Sequence, residues 1–468
     1  MKRSRDDVLF FLAVTLWIAV IVASWPRAVS FGDELGYVGR AKLLLAGQLH
    51  YVPGSLGLWM DTPHGVVGKY PLLPSLLLVP LVAIAPRAAF ALSVAAAVLM
   101  AATARAALKS WGKSPVWAIA LLAHPTVVIL ARTTMADVPQ AAAAMAAWWA
   151  CKRGRATATI VWLTVLVALK ATGNVLAFAI VAGEAASSWA ALRARDPAAI
   201  RRVGLGVAGG ALGYALSLAQ TRIANGSFES GYETLHQVYK PFVLSYAIAR
   251  VPVHATTLLL LPPLLVAGAW PFWRRRDFGP LFVAGGTLAL MCVYFFSDTG
   301  ASRLESLVLS PRLILPVIAF LLVGYGAWLD DLVRRPKTEV TADGPAPVPA
   351  WAAGGLLAVT LASVGGVSLV HWRSQRDMGI VREVASAVAD AQGDRTLGVT
   401  EDAAKAGVLH DGPATKFDPA GARPAAVFCS EVAASHREAG PRSSCALPGY
   451  HPVAARGGFF ALARDDAR

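Results

Sequence analysis

The chain has 468 residues, 56% of them hydrophobic and only 15% charged, with a formal net charge of +14. A soluble globular domain carries about 25% charged residues, so this composition, with a mean hydropathy of +0.53, excludes one and indicates a polytopic membrane protein. The positive excess is what cytoplasmic loops obeying the positive-inside rule produce, and it gives no reason to expect a nucleic-acid partner.

The first apolar segment, 8–26, is flanked by Lys2, Arg3 and Arg5 and is followed by no small-residue cleavage site, so it reads as a retained anchor. Just beyond it stands Phe31-Gly32-Asp33-Glu34-Leu35-Gly36-Tyr37. Two carboxylates opening a loop at the membrane face are a candidate site. Asp33 also fits as the N-cap of an interfacial helix over 34–46, with Glu34 in its first turn. The apolar stretch 71–85 is short and interrupted by Pro71, Pro74 and Pro80, and is expected to lie at the interface or re-enter without crossing. If it crossed, Arg105, Lys109 and Lys113 would face outward.

The remaining spans are expected at 88–108, 115–134, 137–151, 157–172, 174–191, 203–220, 253–272, 279–296, 312–330 and 351–371. Six basic clusters (2–5, 105–113, 152–155, 193–202, 274–276 and 334–337) then share the cytoplasmic side. The expected fold is all-α and polytopic, with about 11 transmembrane helices, the N-terminus cytoplasmic and the C-terminus outside. The first outer loop is 25–86. Tight outer turns follow at 132–137 and 170–173, and longer outer loops at 220–252 and 297–311. The stretch 336–349 reads as a flexible cytoplasmic linker. Beyond the membrane domain, 1–371, the residues 372–468 are more polar, with a helix expected at 378–391 and strands at 395–400 and 425–429: a small extracytoplasmic α/β domain.

Of the four cysteines, Cys151 and Cys292 read as packing residues. Cys429 and Cys445 lie in the outer domain and form either a disulfide or two free thiols. No spacing resembles a zinc site, and His50, His64 and His236 are scattered, so no metal or other cofactor is assigned.

The outer motifs, taken in order, resemble the GT-C superfamily of integral-membrane glycosyltransferases, in particular the branch of protein O-mannosyltransferases and lipid A aminoarabinose transferases. They are Asp33-Glu34, Lys69-Tyr70-Pro71, Arg132 with Asp137-Val138-Pro139, Lys170-Ala171-Thr172-Gly173, Gly226 to Tyr232, and Pro311-Arg312 to Pro316. They span roughly residues 1–330. The Lys170 turn departs from the family pattern, because Lys precedes Ala-Thr-Gly instead of following Thr.

The resemblance implies an inverting transfer of sugar from a polyprenyl-phosphate donor to a protein, lipid or polysaccharide outside the membrane, within cell-envelope glycan assembly. It implies Asp33 as general base, with Glu34 and Asp137 positioning the acceptor or tuning it. Lys69, Arg132, Arg312 and Lys170 are the candidates to bind the donor phosphate, and Tyr37, Tyr70 and Tyr232 to line the donor and acceptor sites. The chemistry fits these types: an acceptor hydroxyl or amine needs a base, and a phosphate leaving group needs cations. Local alternatives stand beside each. Asp137 fits a helix cap, Lys69 and Arg132 fit interfacial snorkelling, and 226–232 fits an ordinary turn. Rival readings of the whole are a transporter or lipid flippase with carboxylates near the midplane, and a non-catalytic scaffold of the same fold.

Overall fold

The computed structural model describes residues 5–51, 54–62, 65–228, 248, 252, 254–259, 262–293, 310–334, 347–393, 396–400, 403–421, 423–431 and 445–465. Among them, five helices are long and apolar enough to cross a membrane: Arg5–Ala23, Pro86–Ser110, Pro197–Asn225, Pro311–Val333 and Ala350–Ala391. The principal helices are α1 Arg5–Ala23, α2 Gly32–Leu45, α3 Leu72–Ile84, α4 Ala91–Ser110, α5 Pro125–Ala131, α6 Asp137–Lys152, α7 Ala156–Leu169, α8 Gly173–Ser187, α9 Pro197–Asn225, α10 Phe278–Val293, α11 Leu315–Val333 and α12 Ala350–Ala391.

Charge marks one end of the bundle. Asp7 pairs with Arg105 at 2.7 Å and Lys109 at 2.8 Å, joining the start of α1 to the end of α4. Glu184 on α8 pairs with Lys152 and with Arg202, each at 3.1 Å, and Asp277 pairs with Lys152 at 3.2 Å. Asp330 near the end of α11 pairs with Arg334 at 3.0 Å. These carboxylates are buried, and a buried carboxylate is stable only when partnered. The basic clusters around Arg105, Lys152, Arg202 and Arg334 therefore gather at one end and lock the helices there.

α1 leaves that end, and the chain re-enters the bundle beside the point where α1 emerges. Trp25 Nε1 donates to the Arg87 carbonyl at 2.9 Å, and Arg87 Nε donates to the Pro26 carbonyl at 3.2 Å. Everything between is an excursion from the opposite end. It contains α2, a hairpin of β1 Trp59–Thr62 and β2 Gly65–Gly68, and α3. α3 holds exposed Leu76, Leu77 and Ile84 on one side and buries Leu72, Leu78 and Val82 on the other.

Two expected spans are broken at proline. The segment 115–134 is a 3₁₀ turn Pro115–Ile119, a helical turn Ala120–Ala123 and α5, broken at His124-Pro125. Pro125 has no N–H to donate and crowds the preceding turn, so a new helix starts there with His124 as its cap. In 253–272 the described residues are helical over 254–259, then 3₁₀ at Leu265–Gly268 and helical at Ala269–Arg274. Pro262-Pro263 interrupts the run.

The helix expected at 378–391 is the far half of α12, which runs 42 residues without a break through position 371. Its far half packs Val381, Ala385 and Ala389 with the apolar face of a five-stranded sheet and with residues of α2 and α3 in one core. The sheet, in order β4-β3-β5-β7-β6, consists of β3 Leu397–Val399, β4 Ala414–Lys416, β5 Ala426–Ser430, β6 Tyr450–Arg456 and β7 Phe459–Arg464. β3 pairs parallel with β4 and β5, and β7 antiparallel with β5 and β6. Cys429 and Cys445 are joined by a disulfide. Cys151 is free and buried. The Cys292 side chain lies outside the described residues.

Candidate active site

The site begins with the way α2 starts. Phe31, in extended conformation, is its N-cap, and Asp33 is inside the first turn rather than at the cap. Glu34 makes the reciprocal half of a capping box, accepting from the Phe31 N–H at 3.0 Å and from the Ser30 N–H at 2.7 Å. Its other oxygen accepts from the Thr134 N–H at 2.7 Å and hydroxyl at 3.2 Å, across the bundle. Glu34 is 0% exposed, and burial pushes its carboxyl up to about 7 against the pull of those four donors. Every acceptor position is spoken for, so Glu34 ties α2 to the turn 132–136. Successive residues on a helix point in different directions, so Asp33 is free to face elsewhere.

Asp33 faces a cluster of cations. Its Oδ1 lies 4.0 Å from Lys69 Nζ, which follows β2, and its Oδ2 lies 3.6 Å from Arg312 Nη2, on the 3₁₀ turn Ser310–Ile314 ahead of α11. Burial is the largest single influence on its carboxyl and pushes it up. Arg312, Lys69, a hydrogen bond from Tyr70 and Lys170 together pull harder and hold it below the ordinary carboxylate value. The side chain keeps 27% exposure, so water and ligands reach it. Aromatic rings frame the cluster: Tyr37 and Tyr70 pack with centroids 4.7 Å apart, and the Arg312 guanidinium sits 5.5 Å from the Phe31 ring.

The second carboxylate is Asp137, the first residue of α6. Its Oδ1 accepts from Lys170 Nζ at 2.8 Å, and its Oδ2 is buried without a hydrogen-bond partner. Lys170 ends α7 in extended conformation, which brings its side chain back to α6. Arg312 lies within electrostatic reach of both Asp33 and Asp137. Gln140, one turn along α6, bonds Thr172 at 2.9 Å and fixes the Lys170–Gly173 turn. The unusual order of that motif therefore still delivers its lysine to the site. Three cations and two carboxylates converge, leaving one positive charge over.

Arg132 does not join them. It is 0% exposed and donates to Ser24 Oγ at 2.8 Å and to His371 Nδ1 at 3.1 Å. His371 Nε2 lies 2.5 Å from Ser30 Oγ, and Gln375 Nε2 donates to Ser30 Oγ at 2.7 Å. Because Arg132 Nε can only donate, His371 Nδ1 accepts from it. Arg132 thus fastens the turn 132–136 to α1 and α12. Its expected place among the phosphate-binding cations is corrected: the helix end at Ala131 turns it inward. Tyr232 lies outside the described residues, and the 226–232 motif is described only to Phe228. Gly226 closes α9 at φ 71°, a left-handed cap that suits glycine. Among the described residues no group of three or more His, Cys, Asp or Glu is placed to hold a metal ion.

Sequence reasoning passed over Arg40, Gln140, His371 and Gln375. The one signal for Arg40 was a cation directly following the uncharged run Gly36-Tyr37-Val38-Gly39 on α2.

No protein-family profile and no curated protein sequence matches the chain. Solved structures do, among them two of one protein. ArnT from Cupriavidus metallidurans bound to undecaprenyl phosphate superposes with a TM-score of 0.59 at 15% identity, covering 97% of each chain. The apo state of the same protein gives 0.57 at 15% identity over 98% of each. ArnT is an aminoarabinose transferase of the GT-C superfamily, and at this identity the likeness is one of architecture. The chain has the ArnT-like membrane fold, with five helices among the described residues long and apolar enough to cross a bilayer.

Proposed function

We propose that the chain is an inverting glycosyltransferase that moves a sugar from a polyprenyl-phosphate donor to an acceptor on the extracytoplasmic face of the membrane. The observation that carries this reading is the Asp33 cluster: its surplus positive charge suits a phosphate, and it sits beside α3, whose exposed leucines suit an isoprenoid tail. ArnT, of the same architecture, binds undecaprenyl phosphate. The basic end of the bundle faces the cytoplasm, N-terminus included, and about eleven spans, some of them broken, connect the two ends. Residues 372–468 form the extracytoplasmic unit and offer a surface to the acceptor.

Lys69 and Arg312 hold the donor phosphate, with Lys170 behind them. An acceptor O–H or N–H attacks the anomeric carbon; the bond from that carbon to the phosphate oxygen breaks, and its electron pair stays on the phosphate. The acceptor proton passes to Asp33. The ion pairs that depress Asp33 are the contacts the phosphate takes over. Donor binding therefore releases the carboxylate toward its ordinary basicity. Asp137, anchored by Lys170, presents its unpartnered oxygen to the acceptor. Glu34 acts through the fold, holding α2 and the 132–136 turn in place.

The test is release of polyprenyl phosphate by the purified protein in lipid nanodiscs, given a panel of polyprenyl-phosphate sugars and a membrane extract as acceptor source. One donor should be consumed, and Asp33→Asn should lower the rate by at least about 10²-fold. Release unaffected by Asp33→Asn would overturn the base assignment. No release from any donor by folded protein would overturn the enzyme.

A further inference from the structure

Arg40 is the most deeply buried cation on α2, at 2% exposure. It has no ion-pair partner among the described residues. Its Nη1 donates to the Tyr70 carbonyl at 3.3 Å and its Nη2 to the Ala224 carbonyl, in the last turn of α9, at 3.1 Å. Its guanidinium lies 5.1 Å from the centre of the Tyr51 ring, and the Tyr51 hydroxyl donates back to the Gly36 carbonyl on α2 at 3.0 Å. Gly68 closes the seat: a Cβ there would run into Arg40 Nη1. Burying a guanidinium without a counter-charge is costly. Here backbone carbonyls, one of them at the negative end of a helix dipole, meet that cost.

We infer that Arg40 is the positioning residue for the donor-phosphate cation Lys69: by gripping the Tyr70 carbonyl it fixes the segment that carries Lys69 against α2, opposite Asp33. The inference rests on the function proposed above. The segment Lys69-Tyr70-Pro71 leaves a two-stranded hairpin, an element that is marginal alone. Arg40 ties it at once to the helix bearing Asp33 and to the end of α9. Lysine could not replace this grip, because a single ammonium cannot bridge two carbonyls while lying flat on Tyr51.

The experiment is a double-mutant cycle read by equilibrium binding of radiolabelled undecaprenyl phosphate in nanodiscs. Arg40→Met and Lys69→Met should each weaken binding about tenfold or more, since small displacements of a binding group cost affinity steeply. The double variant should bind no more weakly than Lys69→Met alone, because Arg40 acts only through that lysine. Arg40→Lys and Gly68→Ala, which keep the charge but disturb the seat, should reproduce the loss in a Lys69 background and add nothing in Lys69→Met. Multiplied losses in the double variant, or wild-type binding by Arg40→Met, overturn the inference while leaving the donor reading intact. If Arg40→Met does not fold, Gly68→Ala with and without Lys69→Met decides by the same criterion. Absence of undecaprenyl phosphate binding by the wild type overturns the donor reading, and this inference with it.

Discussion

Asp33 is held by Lys69 and Arg312 below its ordinary pKa, yet it is proposed as a base. Those facts are compatible only if the cations leave it when donor arrives, and that has a pH signature. The acid limb of kcat/KM reports the free protein and should fall below the ordinary Asp value of about 3.9; the acid limb of kcat reports the donor complex and should lie at higher pH. Removing a favourable cation raises a carboxyl pKa, so the order cannot reverse. Limbs that coincide, or the opposite order, would show that the cations never leave Asp33. Much of this cluster was legible in sequence. Asp33, Lys69, Asp137, Lys170 and Arg312 each lie at an element boundary, where a short motif dictates where the side chain emerges. Arg132 was not legible. It stands five residues before Asp137 in an equally good motif, but only the packing of α1 and α12 decides that its side chain turns to Ser24 and His371. Glu34 was half legible: the capping box follows from its spacing, the long-range bonds to Thr134 do not.

Elements pack here through small residues, as helices in lipid must when the hydrophobic effect between them is weak. α11 passes so close to the 3₁₀ turn 265–268 that a Cβ on Gly324 would meet the Gly268 carbonyl and the Phe272 ring. Gly324→Ala should therefore lower stability by about 1–3 kcal/mol, seen as a lower thermal midpoint in detergent. Gly204→Ala, on a face of α9 where nothing lies within 4 Å, should hold or slightly raise it. Equal effects would mean that helix propensity alone governs both sites. Among the described residues, most expected spans overlap an observed helix where the apolar run lacks an internal proline. They fail at His124-Pro125 and Pro262-Pro263, where proline divides the run, a signal present in sequence but subordinate to hydropathy over a long window. The continuity of α12 was missed for the opposite reason. Residues 371–377 turn polar without turning helix-breaking, and polarity alone was read as the end of an element.

At the scale of the whole molecule, charge divides the two ends. Asp7, Glu184, Asp277 and Asp330 answer the basic clusters at one, and the Asp33 cluster occupies the other. The proposed sidedness rests on the positive-inside rule and is open to direct measurement. In intact cells a membrane-impermeant maleimide should label Gln48→Cys, at the exposed end of α2, and leave Ala194→Cys, in the exposed turn before α9, unlabelled until the cells are opened. The reverse pattern would invert the topology and place the site in the cytoplasm. The C-terminal sheet joins this plan through α12. At 42 residues that helix is about 63 Å long. Its near half belongs to the bundle, and its far half shares a core with the sheet, α2 and α3. Such a rod is a mechanical lever: a tilt of about 5° at its base sweeps its far end through about 5 Å. Because α2 carries Asp33 and Arg40 and shares a core with that far end, a tilt of the rod would carry the start of the site with it.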